Sequence, residues 1–207
     1  MYNMNLSAKD LCSRSCMQIK MFMEHPELKP KPSFNMLEGE RHHREVASKL
    51  KDVIGEEMGN CLNIHMGDKI TVWFSNDICC EKGIVEIKSV DKERPSDWYF
   101  NNSVTQCAVY SVLSMYCNYD LRTAKFFTDK GNPYIRYKYD RENVPYFLYF
   151  GDEIYRIDIL DIDKILWFIT EKAIACIEWE TAKEFDKKYK HLEYKTLSEY
   201  FRVVRIR

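Results

Sequence analysis

Asp77, Glu86 and Lys88 are the residues whose types and spacing best suit chemistry, and the chemistry they suit is phosphodiester hydrolysis. Residues 83–90 largely alternate between apolar and polar side chains, which predicts a β-strand. Side chains two apart on a strand point to the same face, so Glu86 and Lys88 should project together. Asp77 ends an apolar run at residues 70–74, and a turn would bring it to the same end of a hairpin. Two carboxylates and an ammonium gathered in this way suit a hard divalent cation and an activated water.

Two predicted helices carry further polar side chains that could take part in binding. His43 lies one turn from Glu40, and its imidazole could add a ligand to a metal site beside the hairpin. Taken alone, His43 could equally be a surface histidine or one satisfied in the core. Gln106 and Tyr110 are four residues apart, so an amide and a phenol would share one helix edge. The alternative for this pair is a solvated glutamine beside a half-buried tyrosine.

The elements that must position these side chains alternate between helices and strands. Apolar periodicity predicts helices over residues 5–24, 36–58, 103–115 and 163–190. Runs of β-branched and aromatic residues predict strands at residues 62–65, 70–74, 83–90, 124–127, 134–139, 146–150, 153–160 and 201–207. Residues 91–102 are predicted to form a polar connection. This order predicts an α/β fold in which helices flank a central mixed β-sheet.

A length of 207 residues suits one well-cored domain. Within it we assign an N-terminal helical segment to about residues 1–35 and a core that carries the chemistry to about residues 36–160. A C-terminal helix and tail fill about residues 161–207. The proline-punctuated stretch at residues 28–33 is predicted to link the first segment to the core.

The charge balance and hydropathy restrict the partners of the chain. A net charge of −1 gives no bulk attraction to nucleic acid, so phosphate binding would require a locally basic face. The sequence contains neither an apolar run long enough to span a bilayer nor a signal peptide pattern. We therefore expect an intracellular, cytoplasmic protein that does not contact a membrane.

The eight cysteines include no CxxC pair. Cys12 and Cys16 are four residues apart, and Cys79 and Cys80 are adjacent, which is poor spacing for a zinc knuckle. Buried thiols acting as small hydrophobes in a reducing compartment are the main interpretation. A metal or iron–sulfur role for Cys12 and Cys16, or disulfide formation, remains an alternative.

In their order along the chain, these residues resemble the motif series of RecB-family nucleases of the PD-(D/E)XK superfamily, including their CRISPR-associated exonuclease branch. The matching series is Gly39-x-x-x-His43, Asp77, Glu86-x-Lys88 and Gln106-x-x-x-Tyr110. The segment from Leu6 to Cys16 resembles the opening helix of that family, so the resemblance covers residues 5–116. It implies a restriction-endonuclease-like core with a central mixed sheet.

The resemblance also implies a role for each motif residue. The implied ligands of a Mg²⁺ or Mn²⁺ ion are His43, Asp77, Glu86 and the backbone carbonyl of Ile87. Lys88 would orient or activate the attacking water. Gln106 and Tyr110 would complete the substrate side of the site.

The chain departs from the family pattern in three respects. Asn76 stands where a proline usually precedes the aspartate. Many members hold a [4Fe–4S] cluster through one N-terminal and three C-terminal cysteines, but the C-terminal third here contains only Cys176, so no such cluster is expected. Helicase motifs are absent, which implies a stand-alone nuclease. The compact length and the Ile/Lys/Tyr-rich composition resemble small nucleases encoded by archaeal viruses, which would act in the host cytoplasm.

The resemblance implies a metal-dependent deoxyribonuclease, endo- or exonucleolytic, that acts on single-stranded DNA in replication, recombination or genome processing. Stacking with unpaired bases and contacts with phosphates are expected from Arg136, Tyr137 and Lys138, or from a patch at Trp98, Tyr99 and Phe100. One alternative is a catalytically idle DNA-binding or assembly module of the same fold. Another is an interaction protein in which the motifs coincide by chance. The sequence leaves the oligomeric state open, a homo-oligomer included.

Overall fold

The computed structural model of the chain describes residues 4–31, 39, 41, 43–46, 48, 60–66, 70–80, 83–90, 96–119, 145–189 and 193–206. The strands predicted at residues 124–127 and 134–139 lie outside these ranges. So do three of the expected DNA contacts, Arg136, Tyr137 and Lys138.

The N-terminal segment begins with a strand, so the prediction of one helix over residues 5–24 is wrong at its start. β1 (Met4–Ser7) pairs in parallel with β3 (Ile70–Asn76), which makes this segment part of a sheet. The rest divides into α1 (Ala8–Ser13), α2 (Cys16–Glu24) and a 3-10 helix (Pro26–Leu28). The break occurs because Ser15 caps α2: its hydroxyl accepts from the Gln18 N–H, and the Gln18 side chain accepts from the Ser15 N–H.

Two helices carry the motif residues that lie outside the strands. The described residues of α3, which are 39, 41, 43–46 and 48, are all helical, in agreement with the predicted helix. α4 (Asp97–Tyr119) begins before the predicted start at residue 103, so the loop predicted for residues 91–102 is wrong in its second half. The hydroxyl of Ser96 accepts the N–H of Tyr99, and the carboxylate of Asp97 favours the positive end of the helix dipole.

The strands form two sheets, where the sequence predicts one central sheet. The first sheet has the order β1-β3-β2, with β2 (Asn60–Met66) antiparallel to β3. The second is a mixed five-stranded sheet, ordered β4 (Ile78–Cys80), β5 (Gly83–Lys88), β6 (Tyr146–Phe150), β7 (Glu153–Ile159) and β8 (Phe201–Arg205). Only β5 and β6 run parallel among the described neighbours of this sheet. The fold is therefore α/β, with a mixed sheet flanked by helices.

The hairpin around the motif differs from the prediction in its first strand. The sequence suggests that the apolar run at residues 70–74 pairs with residues 83–90. In the structure the chain bends at Asp77, so β3 stays in the first sheet and the short β4 becomes the antiparallel partner of β5. The chain thus passes from one sheet to the other at Asp77.

The long C-terminal helix predicted over residues 163–190 is two helices, α5 (Ile162–Ala175) and α6 (Trp179–Tyr189), followed by α7 (Glu193–Leu197). The Thr181 hydroxyl donates to the Ala175 carbonyl at 2.9 Å and satisfies a group left open where α5 ends. Apolar spacing continues across this break, which is why periodicity alone does not reveal it. No helix in the described ranges has the length and apolar character needed to cross a bilayer.

α4 lies at the centre of the main hydrophobic core and contacts α1, α5, β6 and β7. Residues 103–115 of this helix are buried on every side, as expected for a helix enclosed by other elements. A second, smaller cluster contains Val46, Ile78, Val85 and Ile87. Val85 and Ile87 therefore face this cluster, while the alternate residues of β5 face the opposite way.

Candidate active site

A cavity of about 530 Å³ contains every residue that the motif series singles out. These residues are His43, Asp77, Glu86, Ile87, Lys88, Gln106 and Tyr110. They come from α3, the bend between the sheets, β5 and α4. The structure thus brings together residues as far apart in sequence as His43 and Tyr110.

Asp77 occupies the bend that joins β3 to β4. Its Oδ2 accepts a hydrogen bond from the Ile87 backbone N–H at 2.7 Å, which ties the bend to β5. The Nε2 atom of His43 lies 3.4 Å from the same oxygen. An imidazole and a carboxylate therefore meet at one wall of the cavity, held by a backbone contact from the strand that carries Glu86.

Glu86 is the most deeply buried acidic group of the site, with 2% of its surface exposed. Its Oε1 accepts from Lys88 Nζ at 2.6 Å and from Gln106 Nε2 at 2.8 Å. Its Oε2 is buried and has no hydrogen-bond partner among the described residues. Because a buried carboxylate oxygen without a partner is costly, a bound cation or water molecule would stabilise this atom.

Burial raises the pKa of Glu86 to about 7, the Lys88 ammonium opposes this rise, and the Asp77 carboxylate adds to it. For Lys88, burial favours the neutral amine, but the charges of Glu86 and Asp77 outweigh burial and raise the pKa above its ordinary value. Lys88 is therefore a cation that contacts Glu86 and is stabilised electrostatically by Asp77.

The α4 pair forms the inner wall of the cavity. Gln106 gives its amide N–H to Glu86, so it orients the carboxylate directly. Tyr110 is buried, and its ring packs against Phe74 with the centroids 5.4 Å apart. Burial raises the pKa of Tyr110 far above its usual range, so this phenol is neutral and serves as a hydrogen-bonding group.

Asn76, which stands where the family has proline, has a structural role that the sequence does not reveal. It is buried, and its Oδ1 accepts from the Tyr146 hydroxyl at 3.0 Å while its Nδ2 donates to Ser114 Oγ at 3.2 Å. These bonds fix the last residue of β3 to β6 and α4. They hold the backbone immediately before Asp77.

The donor types fit a hard divalent cation, but the side chains do not yet converge on one point. Within the described ranges, no three His, Cys, Asp or Glu side chains form a ready metal-ligand group. Glu86 Oε1 faces Lys88 and Gln106, and one oxygen of Asp77 faces the Ile87 N–H. The fit rests on the unsatisfied Oε2 of Glu86 and on the oxygen-rich donor set in which it lies.

Some residues named from the sequence lie outside the cavity. Trp98 is 67% exposed in the first turn of α4 but is not part of the cavity wall. Phe100, which was predicted to belong to a stacking patch, packs its ring against Phe150 and Tyr155. Tyr99 does line the cavity, and its hydroxyl donates to the Ser89 carbonyl.

The described cysteine side chains lie in the core and do not line the cavity. Cys12, Cys16, Cys107 and Cys176 are all buried and unbridged. The neighbouring Cys176 thiol, together with burial, raises the pKa of Cys16. This environment suits thiols that act as small hydrophobic side chains.

The motif series does not include four further residues that line the cavity and form what we call its outer wall: Ser7, Lys9, Trp73 and Ser89. None of them belongs to a spaced motif. A signal was available for Trp73, because period-two alternation in β3 places it opposite Val72 and Phe74.

Comparisons with known proteins leave the family of the chain unassigned. No protein-family model matches the chain, and no curated protein matches it. A solved structure described as "Crystal structure of SSO0001" is similar at a TM-score of 0.49 and 16% sequence identity, over 84% of this chain and 77% of its own. Function must therefore be argued from the residues of the cavity.

Proposed function

We propose that the protein is a Mg²⁺- or Mn²⁺-dependent deoxyribonuclease that hydrolyses phosphodiester bonds of single-stranded DNA, on a PD-(D/E)XK-like core. The observation that carries the proposal is Glu86, a buried carboxylate with one oxygen held by Lys88 and Gln106 and the other unsatisfied. Burying such a carboxylate oxygen without a partner is costly, and a bound cation would offset that cost. Replication, recombination or genome processing would be its setting.

The ligands would be His43, Asp77, Glu86 and the backbone carbonyl of Ile87. A divalent cation held there would lower the pKa of a water molecule and screen the negative charge of the scissile phosphate. The Ile87 N–H fixes the orientation of Asp77, and Gln106 fixes that of Glu86. The ligands are thus oriented by hydrogen bonds from rigid elements, which favours a fixed coordination geometry.

Lys88 contributes the cationic side chain of the site. Its ammonium donates a hydrogen bond to the Glu86 carboxylate, and the charges of Glu86 and Asp77 keep it protonated. A compact ammonium at this position can orient the attacking water and stabilise the negative charge that develops on the phosphate. Gln106 and Tyr110 then close the inner wall behind the reacting groups.

A catalytically idle DNA-binding or assembly module of the same fold is the second candidate. The observation that favours it is the closed pair of Lys88 with Glu86, together with the lack of a ready metal-ligand group in the described ranges. In such a protein the Lys88 ammonium would neutralise the charge of Glu86 within the cavity, and DNA would bind without being cut.

The proposal is tested by incubating the protein with circular single-stranded DNA and with an end-labelled linear strand. Parallel reactions contain Mg²⁺, Mn²⁺ or EDTA. We expect cleavage with either cation and none with EDTA, and cutting of the circle would establish endonuclease action. DNA binding without cleavage of either substrate would favour the idle module. If the protein neither binds nor cleaves DNA, both candidates are overturned.

Glu86→Gln should weaken Mn²⁺ binding by at least about tenfold, because it removes a charged ligand oxygen. It should also change the pH dependence of folding stability without metal. The pKa of Glu86 is about 7 in the folded state and near 4.5 when the chain is unfolded, so the folded state binds the proton more tightly. Wild-type stability should therefore fall as pH rises from about 4.5 to 7, and the variant should lack this fall.

Calorimetric titration with Mn²⁺ and thermal unfolding at pH 5 and pH 8 would measure both effects. Glu171→Gln, at an exposed position on α5, is the matched control and should behave like the wild type. An unchanged Mn²⁺ affinity in Glu86→Gln would exclude Glu86 as a ligand.

A further inference from the structure

Trp73 is exposed inside the cavity although its neighbours on β3 are fully buried. Val72 and Phe74 are 0% exposed, whereas Trp73 is 42% exposed and forms part of the cavity wall. β3 is the central strand of its sheet, so its alternate residues point to opposite faces. The core face takes Val72 and Phe74, and the large flat indole is presented to the cavity. An accessible aromatic ring in a concave site is a feature of ligand recognition.

A hydroxyl and an ammonium accompany this indole. The parallel register pairs Ser7 with Trp73, so the two residues are direct neighbours on adjacent strands. The chain then enters α1, where Lys9 is exposed and also lines the cavity. Lys9 and Glu86 line the same cavity, and the Lys9 ammonium is close enough to the Glu86 carboxylate to interact with it electrostatically. Lys9 therefore faces the same space as the proposed reaction centre.

We infer that Trp73, Ser7 and Lys9 form a nucleotide subsite that stacks one unpaired base on the indole and pairs its phosphate with the ammonium. This inference rests on the proposed nuclease function and names the residues that would hold its single-stranded substrate. An aromatic face accepts any base, because every base has a π-face, while the cation follows the backbone. Ser7 supplies a short hydroxyl for the sugar or phosphate between them.

The subsite selects single strands because of where the indole lies. Within a duplex each base is stacked on both sides and is shielded from the protein, so its face reaches a side chain only after it leaves the stack. Trp73 and the reaction centre share one cavity of about 530 Å³, which has room for one extruded nucleotide next to the reacting phosphate. Single-stranded DNA satisfies this geometry without unpairing.

The subsite is tested by binding rather than by cleavage. Oligonucleotides that contain the fluorescent base 2-aminopurine are titrated into the Lys88→Ala protein with Mn²⁺, alone and combined with Trp73→Ala, Trp73→Phe or Lys9→Ala. We expect Trp73→Ala to weaken single-strand binding by about 10- to 100-fold and to abolish the stacking-dependent quenching of 2-aminopurine. Trp73→Phe should restore most of the affinity and quenching, and Lys9→Ala should reduce the salt dependence of binding.

Trp167→Ala is the matched control, because Trp167 is 52% exposed on α5 and does not line the cavity. Thermal unfolding of each variant verifies the fold, and duplex binding should change by less than about twofold in Trp73→Ala. Equal single-strand binding by the Trp73→Ala and Trp167→Ala proteins would overturn the subsite.

The two proposals fail in distinguishable ways. Trp73-dependent quenching in a protein that never cleaves DNA would refute the nuclease function and keep the subsite. Cation-dependent cleavage with single-strand binding unaffected by Trp73→Ala would keep the nuclease and refute the subsite. Absence of any DNA binding would overturn both.

Discussion

Lys88→Ala is expected to reduce DNA cleavage by at least about 10²- to 10³-fold, because it removes a cation aimed at the charge that develops during hydrolysis. The ammonium is fixed rather than mobile: it bonds to Glu86 at 2.6 Å, and both acidic groups keep it protonated. Among the described lysines, Lys9 alone lines the cavity besides Lys88, and Lys9 belongs to the outer wall. The loss should therefore not be compensated from within the site.

Mn²⁺ binding should survive in the Lys88→Ala protein, since none of the proposed ligand atoms is removed. Single-turnover cleavage of circular single-stranded DNA gives the rate, and calorimetry gives the Mn²⁺ affinity. Lys183→Ala, at an exposed position on α6, should cleave like the wild type. Full activity of Lys88→Ala in the presence of metal would refute the role assigned to Lys88. Parallel loss of metal affinity and cleavage would instead indicate that the substitution disturbs the ligands.

Gly83→Ala is expected to destabilise the fold by about 2–5 kcal/mol, through a strained backbone and a direct clash. Gly83 has φ +141°, a conformation that L side chains rarely adopt. A Cβ there would lie 2.3 Å from the Pro145 carbonyl oxygen, which also accepts the Ile84 N–H at 2.8 Å. The close approach of these backbones starts the parallel pairing of β5 with β6, and that pairing holds the strand of Glu86 in register.

Urea unfolding would measure the loss. Gly151→Ala is the comparison without a clash, because Gly151 has a positive φ of 64° and its nearest neighbour, Val90, would be 3.8 Å from the new Cβ. This control should lose only about 1 kcal/mol, the cost of the left-handed conformation. Equal losses in the two variants would show that neither the clash nor the φ of +141° at Gly83 adds to the ordinary cost of a positive φ.

The placement of the site residues could be predicted from the sequence where it depends on alternation within one element. Glu86 and Lys88 share a face because strand side chains alternate, and the intervening Ile87 enters the small core cluster as that rule requires. The i, i+4 spacing likewise placed Gln106 and Tyr110 on one wall. These relations hold within a single element, so they do not depend on how the elements assemble.

Other features depended on contacts between distant segments. β1 is a strand because it pairs in parallel with β3, which lies more than sixty residues away in sequence. A short MNLS segment carries no periodicity of its own. The same holds for Asn76, whose partners Tyr146 and Ser114 belong to other elements. The division between α1 and α2 is different, since Ser15 and Gln18 form a capping box that the S-x-x-Q spacing displays.

The passage of the chain between the two sheets at Asp77 places the proposed reaction centre at the junction of these sheets. A cation bound by both Asp77 and Glu86 would join the end of the first sheet to the second, so its binding free energy would also hold the sheets together. Thermodynamic linkage makes this coupling reciprocal. A change that weakens the contact between the two sheets at Asp77 would lower metal affinity by the same factor by which bound metal strengthens that contact. The Asn76 hydrogen bonds, which fix the residue before Asp77, would thereby contribute to cation affinity without touching the ion.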